Sequence, residues 1–558
     1  MTMFDRVRRG FFNVGKRAVH YRIVGGGPPA LFIHSSPADS TFVVPDMLAL
    51  AHRYTCVAFD TPGFGLSDPL PGDPLTVADL ADATAAAMVA FGLPRVPVYG
   101  THTGAAIALE LGARHPARVS GLVLDGVPIF TRAEADALIA GYFIDLSPDI
   151  LGGHFSRIWT RLRDQSIWFP WYARSPDQHN DYDLAAPSLT HRWMTMFLDA
   201  AAHYRPAYAA ALGYCDQALV AVEALAVPAV FTASANDMLY PHLRRLPPLR
   251  AGQEIREFGI DPAAKHVLTG EMFDRFVDPG ATLEHPPASV RATGRQFFAF
   301  ERGDLLVRCA GERDLPCLLL LHDVPGSSRA LEPLIAALSN SYFVVAPDLP
   351  GSGNSPGFGA GASMGDYVGV LRDLLDQLGI VQCAVAGIGF ASSLALALAR
   401  TDGGRVASVA LTGVLLADAT ERQRLAAHHT PPIAIEADGS HWFRLWQQLR
   451  DTLIWWPWFD PRRDALRGEP ADFAAGVLHD RTVEVMKQHT AYGELVAAVL
   501  AHDAGEDLAL LSQPLLVLSG SASPLSRAYD ARLGSLAPSA RTRRYDGIAG
   551  LADALREI

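Results

Sequence analysis

The chain matches itself when slid along its own length by 287 or 288 residues, and this restricts its fold more than anything else in it. His34 falls on His322 and Asp60 on Asp348 at a shift of 288, while Gly100 falls on Gly387 and Trp159 on Trp446 at 287. One small indel between Gly63 and Gly100 accounts for the difference. Stacked repeat arrays have periods of roughly 20–50 residues. A period this long is a duplicated domain, and each copy must hold its own core. The length of 558 residues agrees, because single domains usually run to about 100–250 residues. Residues 278–294 combine proline, glycine and small polar side chains without any apolar period, which puts the seam near His285 and predicts domains over 1–285 and 295–558.

Within each copy, short β-branched runs alternate with longer segments of helical period, the rhythm of βαβ units and a mostly parallel sheet. Strands are expected in the first copy at residues 30–34, 55–60, 96–100, 121–125 and 229–233, and in the second at 317–322, 342–348, 383–387, 406–412 and 514–519. Residues 104–115 have apolar side chains at helical spacing and stop near a His-Pro pair. Hydrophobic residues make up 49% of the chain and charged ones 19%, enough apolar surface for two cores and no mark of disorder. A formal net charge of −12 excludes a phosphate-backbone partner, which needs a positive field. The five cysteines include no CxxC pair and are expected to be buried, reduced thiols. No apolar run reaches the roughly 18–20 residues of a membrane span, and the N-terminus lacks the apolar stretch of a signal peptide. No membrane association is expected, and the expected location is the cytoplasm.

Three motifs give the first copy its character: HSSP at His34 after a strand, DTPGFGLSD from Asp60 to Asp68, and GTHTG from Gly100 to Gly104 between strand and helix. The second copy answers with HDVPGS from His322, DLPGSGNS from Asp348 and GIGFA from Gly387. In these motifs both copies resemble the α/β-hydrolase superfamily. The resemblance implies an α/β fold of two tandem domains, each a mostly parallel sheet flanked by helices with a helical cap inserted after strand 6. In that family GxSxG is a tight turn that lifts a nucleophilic serine above the sheet. Here the serine position holds His102 in one copy and Gly389 in the other.

The resemblance also implies a supporting set. Asp237 lies where the family's acid usually lies, with Asp125 as the other candidate, and His266 follows 29 residues after Asp237, near the family's base. The oxyanion hole maps onto the backbone amides of Ser36 and Thr103. The second copy has Pro524 and Thr412 where the first has its two acids, and no histidine after His502, so triad-like chemistry is assigned to the first copy. Imidazole has a reference pKa near 6.5 and is partly unprotonated at neutrality, so His102 needs no partner base. It can attack an activated carbonyl, or act as general base toward water or an acidic C–H or O–H, the route preferred here. His34 is read chiefly as a support of its loop, with substrate contact as the alternative, and Asp60 and Asp68 as fixing turns. Zinc held by His34, His102 and His266 is a further alternative, but their spacing is not that of a metal motif. Neither a metal nor an organic cofactor is expected.

The caps are expected at residues 130–219 and 415–507, and all nine tryptophans fall inside them. They share a signature, GHFSRIWTRLRDQSIWFPWY against SHWFRLWQQLRDTLIWWPWF, with identical pairs such as His154/His441, Arg157/Arg444 and Trp168/Trp455. On a helix His154, Arg157 and Asp164 fall within about 80° of one another, a polar stripe that faces the pocket or a partner. His154, Arg157, Trp159 and Trp168 are therefore candidates for substrate contact. The retained caps also suggest an intramolecular pseudo-dimer of the two halves, with further oligomerisation left open. The leading expectation is an enzyme acting on a small, partly hydrophobic carbonyl or ester substrate by hydrolysis or lyase-type cleavage. Its rival is a non-catalytic ligand-binding or scaffold protein.

Overall fold

The structure is a computed structural model that describes residues 7–283, 294–467, 473–520 and 524–558. The predicted seam at His285 lies outside the described residues. The chain divides into two compact units, Met1–Ser147 with Arg157–Ser289, and Pro148–Ser156 with Val290–Ile558. The second unit thus includes a nine-residue piece of the first copy's cap sequence.

The first unit is built on an eight-stranded sheet: β1 (Arg8–Val14), β2 (Arg17–Val24), β3 (Pro29–Ile33), β4 (Thr55–Phe59), β5 (Val96–Thr101), β6 (Val119–Asp125), β7 (Ala229–Thr232) and β8 (Gln253–Ile255). Its spatial order is β1-β2-β4-β3-β5-β6-β7-β8. The first two strands form an antiparallel hairpin and all pairs from β3–β4 onward are parallel. The second unit repeats the plan with β9 (Gly294–Phe300), β10 (Gly303–Ala310), β11 (Cys317–Leu321), β12 (Phe343–Pro347), β13 (Cys383–Ile388), β14 (Val406–Thr412), β15 (Leu515–Ser519) and β16 (Arg541–Arg544). Even the register is copied, since Leu31 pairs with Val98 and Leu319 with Val385.

The central strands are buried along their whole length because helices cover both faces, which is why β3, β5 and β6 read as unbroken apolar runs rather than alternating ones. Helices pack on them through small and branched residues; the helix Thr103–Arg114 buries Ala105, Ala106, Ile107, Ala108, Leu109 and Leu111. The helices that follow β4 and β12 both open with a capping box, Thr76 with Asp79 and Ser363 with Asp366, so the duplication extends to helix ends. Between β6 and β7 the first unit inserts helices from Arg132 to Ala224, and between β14 and β15 the second inserts helices from Ala419 to Leu510. All five cysteines are free and buried. Among the described residues no helix is long and apolar enough to cross a membrane.

The loop motifs serve these frames. Asp60 accepts backbone N–H bonds from Ser40 at 2.9 Å and Leu66 at 2.8 Å, and Asp348 does the same for Ser328 and Asn354, both at 2.9 Å. Asp68 accepts from the Ala18 amide at 2.8 Å.

Candidate active site

The sharp bend between β5 and the helix Thr103–Arg114 holds His102 at φ 49°, ψ −113°, the left-handed half of the map that a non-glycine residue seldom occupies. Backbone packing leaves little choice at its neighbours. A Cβ on Gly100 would stand 2.3 Å from the Gly104 carbonyl oxygen, and one on Gly104 would stand 2.2 Å from the Ile33 carbonyl oxygen. The bend is pinned to the next strand by the His102 N–H, which donates to the Asp125 carbonyl at 2.9 Å.

From this bend the His102 ring reaches Asp237 in the loop after β7, with Nε2 2.8 Å from Oδ2. The other oxygen of Asp237 accepts the Leu239 N–H at 2.7 Å, so the carboxylate is held from both sides. The ring's Cδ2–Nε2 edge lies over Gly126, where even a methyl group would come within 2.7 Å of Cδ2. Among the described residues no protein donor or acceptor meets Nδ1. Burial works against a charged ring here, but the charge and hydrogen bond of Asp237, aided by Asp125, hold the His102 pKa above the ordinary histidine value. Burial likewise raises Asp237, and His102 and the Leu239 amide outweigh it, so the carboxyl sits below its usual range.

His102 stands at the floor of a cavity of about 190 Å³ with Ser36 and Thr103, beneath aromatic walls that include Phe130, Tyr142, Phe169, Tyr182 and Trp193. Thr103 opens its helix, where the first N–H groups have no partner within the helix and the dipole favours negative charge.

The other expected residues are placed differently. His266 does not approach His102; its Nε2 lies 2.9 Å from Asp46 Oδ1, and Lys265 Nζ reaches the same oxygen at 2.6 Å. The reason is local, because Asp261 and Pro262 start a helix just before it, and that helix turns residues 265 and 266 toward the helix bearing Asp46. Burial opposes the Asp46 charge, yet His266 and Lys265 together keep its carboxyl below the usual range. Asp125 is buried and accepts from Tyr99 Oη at 2.7 Å, so its side chain serves the neighbouring strand and not the His102 ring. Burial raises its pKa against the opposing effects of Lys265 and Tyr99.

His34 is a brace: its Nδ1–H donates to the Ser35 carbonyl at 2.9 Å and its Nε2 accepts the Thr61 N–H at 2.9 Å, leaving nothing for a substrate. His322 repeats this with Asp323 and Leu349 at 2.8 and 3.0 Å. His34, His102 and His266 thus have separate partners and do not converge on one point. The expected cap contacts are also corrected. His154 is fully buried within the second unit, with Nε2 3.1 Å from His479 Nδ1 and its ring edge-on to Trp446. Arg157 is exposed, Trp159 is core, and Trp168 packs against His179. The cap instead presents Leu162 and Gln165 from the end of that helix, and Ser166 and Phe169 from the turn that follows it, to the cavity.

The second unit shows what the same frame does without the histidine. Gly389 keeps the positive φ of 58°. The carboxylate of Asp323, at the position of Ser35, has moved into the vacated space and accepts N–H bonds from Val324 at 2.9 Å and Phe390 at 3.0 Å. Those amides are the counterparts of Ser36 and Thr103. A Cβ on Gly389 would stand 2.1 Å from Asp323 Oδ1, so an elbow side chain here requires that carboxylate to leave its present position. Sequence reasoning missed Asp323, although a signal was present: the copies differ at 35/323 and 102/389 together.

A family model described as alpha/beta hydrolase fold matches residues 28–152 and 316–456. The haloalkane dehalogenase 2 of Mycobacterium tuberculosis (strain ATCC 25618 / H37Rv) is 31% identical over 140 residues, 25% of this chain and 49% of that protein. The 2-(acetamidomethylene)succinate hydrolase of Mesorhizobium japonicum is 30% identical over 129 residues, 23% of this chain and 46% of its own length. The chain thus spans about half the length of these curated relatives. Among solved structures, epoxide hydrolase A from Mycobacterium thermoresistibile aligns with 47% of this chain and 98% of its own at 22% identity and a TM-score of 0.38.

Proposed function

We propose, for a chain that belongs to the α/β-hydrolase superfamily and carries its fold twice, that the first unit is an enzyme cleaving a small, partly hydrophobic carbonyl or ester compound by hydrolysis or lyase-type cleavage. The observation that carries this reading is the 2.8 Å contact between His102 Nε2 and Asp237 at the floor of an aromatic cavity. Curated relatives named as hydrolases and dehalogenases support an enzyme of this general kind.

In this reading one imidazole covers the ground of two residues. Asp237 holds the proton on Nε2 and orients the ring, which leaves the Nδ1 lone pair to act as base. Nδ1 takes a proton from water or from an acidic position of the substrate as the new bond forms. The oxygen charge that develops on the carbonyl is met by the amides of Ser36 and Thr103. Asp237 steadies the imidazolium until it returns the proton to the leaving group. In hydrolysis the deprotonated water adds to the carbonyl carbon and the leaving group departs with the returned proton; in lyase-type cleavage the electron pair freed from the substrate's own C–H or O–H forms a double bond as the leaving group departs, and no water is consumed.

The test is a pH profile. A base must be neutral, so turnover of an activated ester such as p-nitrophenyl butyrate is expected to rise with pH through a pKa above the ordinary histidine value. Asp237→Asn removes the charge that favours imidazolium, so the inflection moves to lower pH, and the plateau falls by about tenfold or more. For stability, a raised histidine pKa contributes fully below the unfolded value and is lost as pH rises through the folded one. The contact therefore favours the folded unit most on the acid side of that window. An inflection that stays in place in Asp237→Asn sinks the assignment.

For the second unit one observation favours the other reading, a non-catalytic scaffold or binding domain. Gly389 has no side chain to react, and the two amides that would face a substrate oxygen are bonded to Asp323.

A further inference from the structure

Arg161 lies in the cap helix Gly153–Gln165 and is only 3% exposed, yet among the described residues it makes no ion pair. Its guanidinium carbon lies 5.0 Å from the ring centre of Tyr142, 5.3 Å from Phe197 and 5.7 Å from Trp171. One NH group donates to the side-chain oxygen of Gln165, and Nε is buried without any partner. Aromatic faces attract a cation, but they do not replace the water removed from it, and a buried guanidinium is normally paired with an acid. Two of the side chains that touch Arg161, Tyr142 and Gln165, also line the cavity above His102. The Tyr142 hydroxyl takes a hydrogen bond from Tyr208, another lining residue, at 3.2 Å.

The duplication supplies an internal control. At the matching place in the other cap stands Gln448, equally buried and neutral, with its amide donating to the His429 carbonyl at 3.2 Å. The helix therefore does not need a cation there to fold. The charge is confined to the unit whose elbow carries a reactive side chain.

We infer that Arg161 is a specificity-determining residue that receives a carboxylate of the ligand, displacing or joining the Gln165 amide, so that the ligand is a small hydrophobic acid whose other end reaches His102. Planar guanidinium and planar carboxylate match in a two-point hydrogen bond, and in so apolar a setting the pairing supplies the counter-charge the fold omits. The inference rests on reading the His102 cavity as a ligand site, and it is independent of whether His102 is the base.

The experiment titrates the full chain by calorimetry with phenylacetate and with its uncharged isostere phenylacetamide. The wild-type protein is expected to bind the acid about tenfold or more tightly than the amide. Arg161→Gln, which installs the other cap's residue, is expected to remove the preference while leaving the melting temperature essentially unchanged, and Arg161→Lys to retain part of it. His102→Ala is expected to keep the preference. A wild-type protein that binds both compounds alike, or neither, overturns the proposal, as does an Arg161→Gln variant that still prefers the acid. If His102→Ala keeps its turnover while Arg161→Gln loses the preference, the catalytic reading fails and this one stands.

Discussion

Full-length protein carrying His102→Ala is expected to lose turnover of p-nitrophenyl butyrate by about 10²–10⁴-fold, the range that a positioned acid–base group contributes. The same variant should keep its affinity for a non-reacting ligand within a few-fold, because the aromatic walls, Ser36 and Thr103 are untouched. The expectation follows from the arrangement of the ring. Nε2 is committed to Asp237 and, among the described residues, the opposite edge meets no protein partner, so removal deletes a basic lone pair at the cavity floor. His34, His266 and Lys265 cannot substitute, since each already has a partner elsewhere. Initial rates and a binding titration on the same preparation check it. Turnover within a few-fold of wild type would leave the first unit as a binding domain with the shape of an enzyme.

Gly100→Ala is expected to destabilise the first unit by about 3 kcal/mol or more. Its added methyl would run into one backbone peptide of the following helix, at 2.3 Å from the Gly104 carbonyl oxygen, 2.6 Å from its carbon and 2.9 Å from the Ala105 nitrogen. A side-chain clash can be relieved by a change of rotamer, whereas here β5 and its helix must move apart. The second unit keeps glycine at the same place, Gly387, with its own backbone contacts at 2.6 to 2.9 Å. Gly26 provides the control: a Cβ there meets nothing within 4 Å, and alanine should change stability by no more than about 0.5 kcal/mol. Urea denaturation of the two variants side by side decides the matter, and equal midpoints would show that the turn has slack the geometry does not suggest.

What could be read from the sequence, and what could not, follows from where each signal originates. The buried parallel strands declare themselves, since covering both faces forces unbroken apolar runs such as those of β3 and β11. The strands at the sheet margins do not. β8 is three partly exposed residues and β16 is the fully exposed run Arg541–Arg544, so neither has an apolar pattern to detect. The antiparallel hairpin of β1 and β2 is masked by arginines at the ends of its strands.

Among the site candidates, His102 and Asp237 were legible because a tight turn and a strand end fix where their side chains begin. His266 was placed by a residue count, and a count says nothing of the helix that starts at Pro262 and rotates it away. His154, Arg157, Trp159 and Trp168 stand out in the sequence because both caps retain them. Yet what two copies share is what both need to fold, and three of the four are spent on packing. The informative positions are those where the copies part: Ser35 against Asp323, His102 against Gly389, Arg161 against Gln448.

The Asp323 carboxylate makes the second unit's turn its own occupant. A Cβ at Gly389 would stand 2.1 Å from its Oδ1, and removal of Asp323 alone would uncover two amides with no reactive side chain beside them. A side chain at Gly389 thus requires the Asp323 carboxylate to swing aside, and the two amides lose their acceptor when it does. One acid therefore plugs the notch between these two amides in the second unit, whereas the first unit has the uncharged Ser35 at the same place.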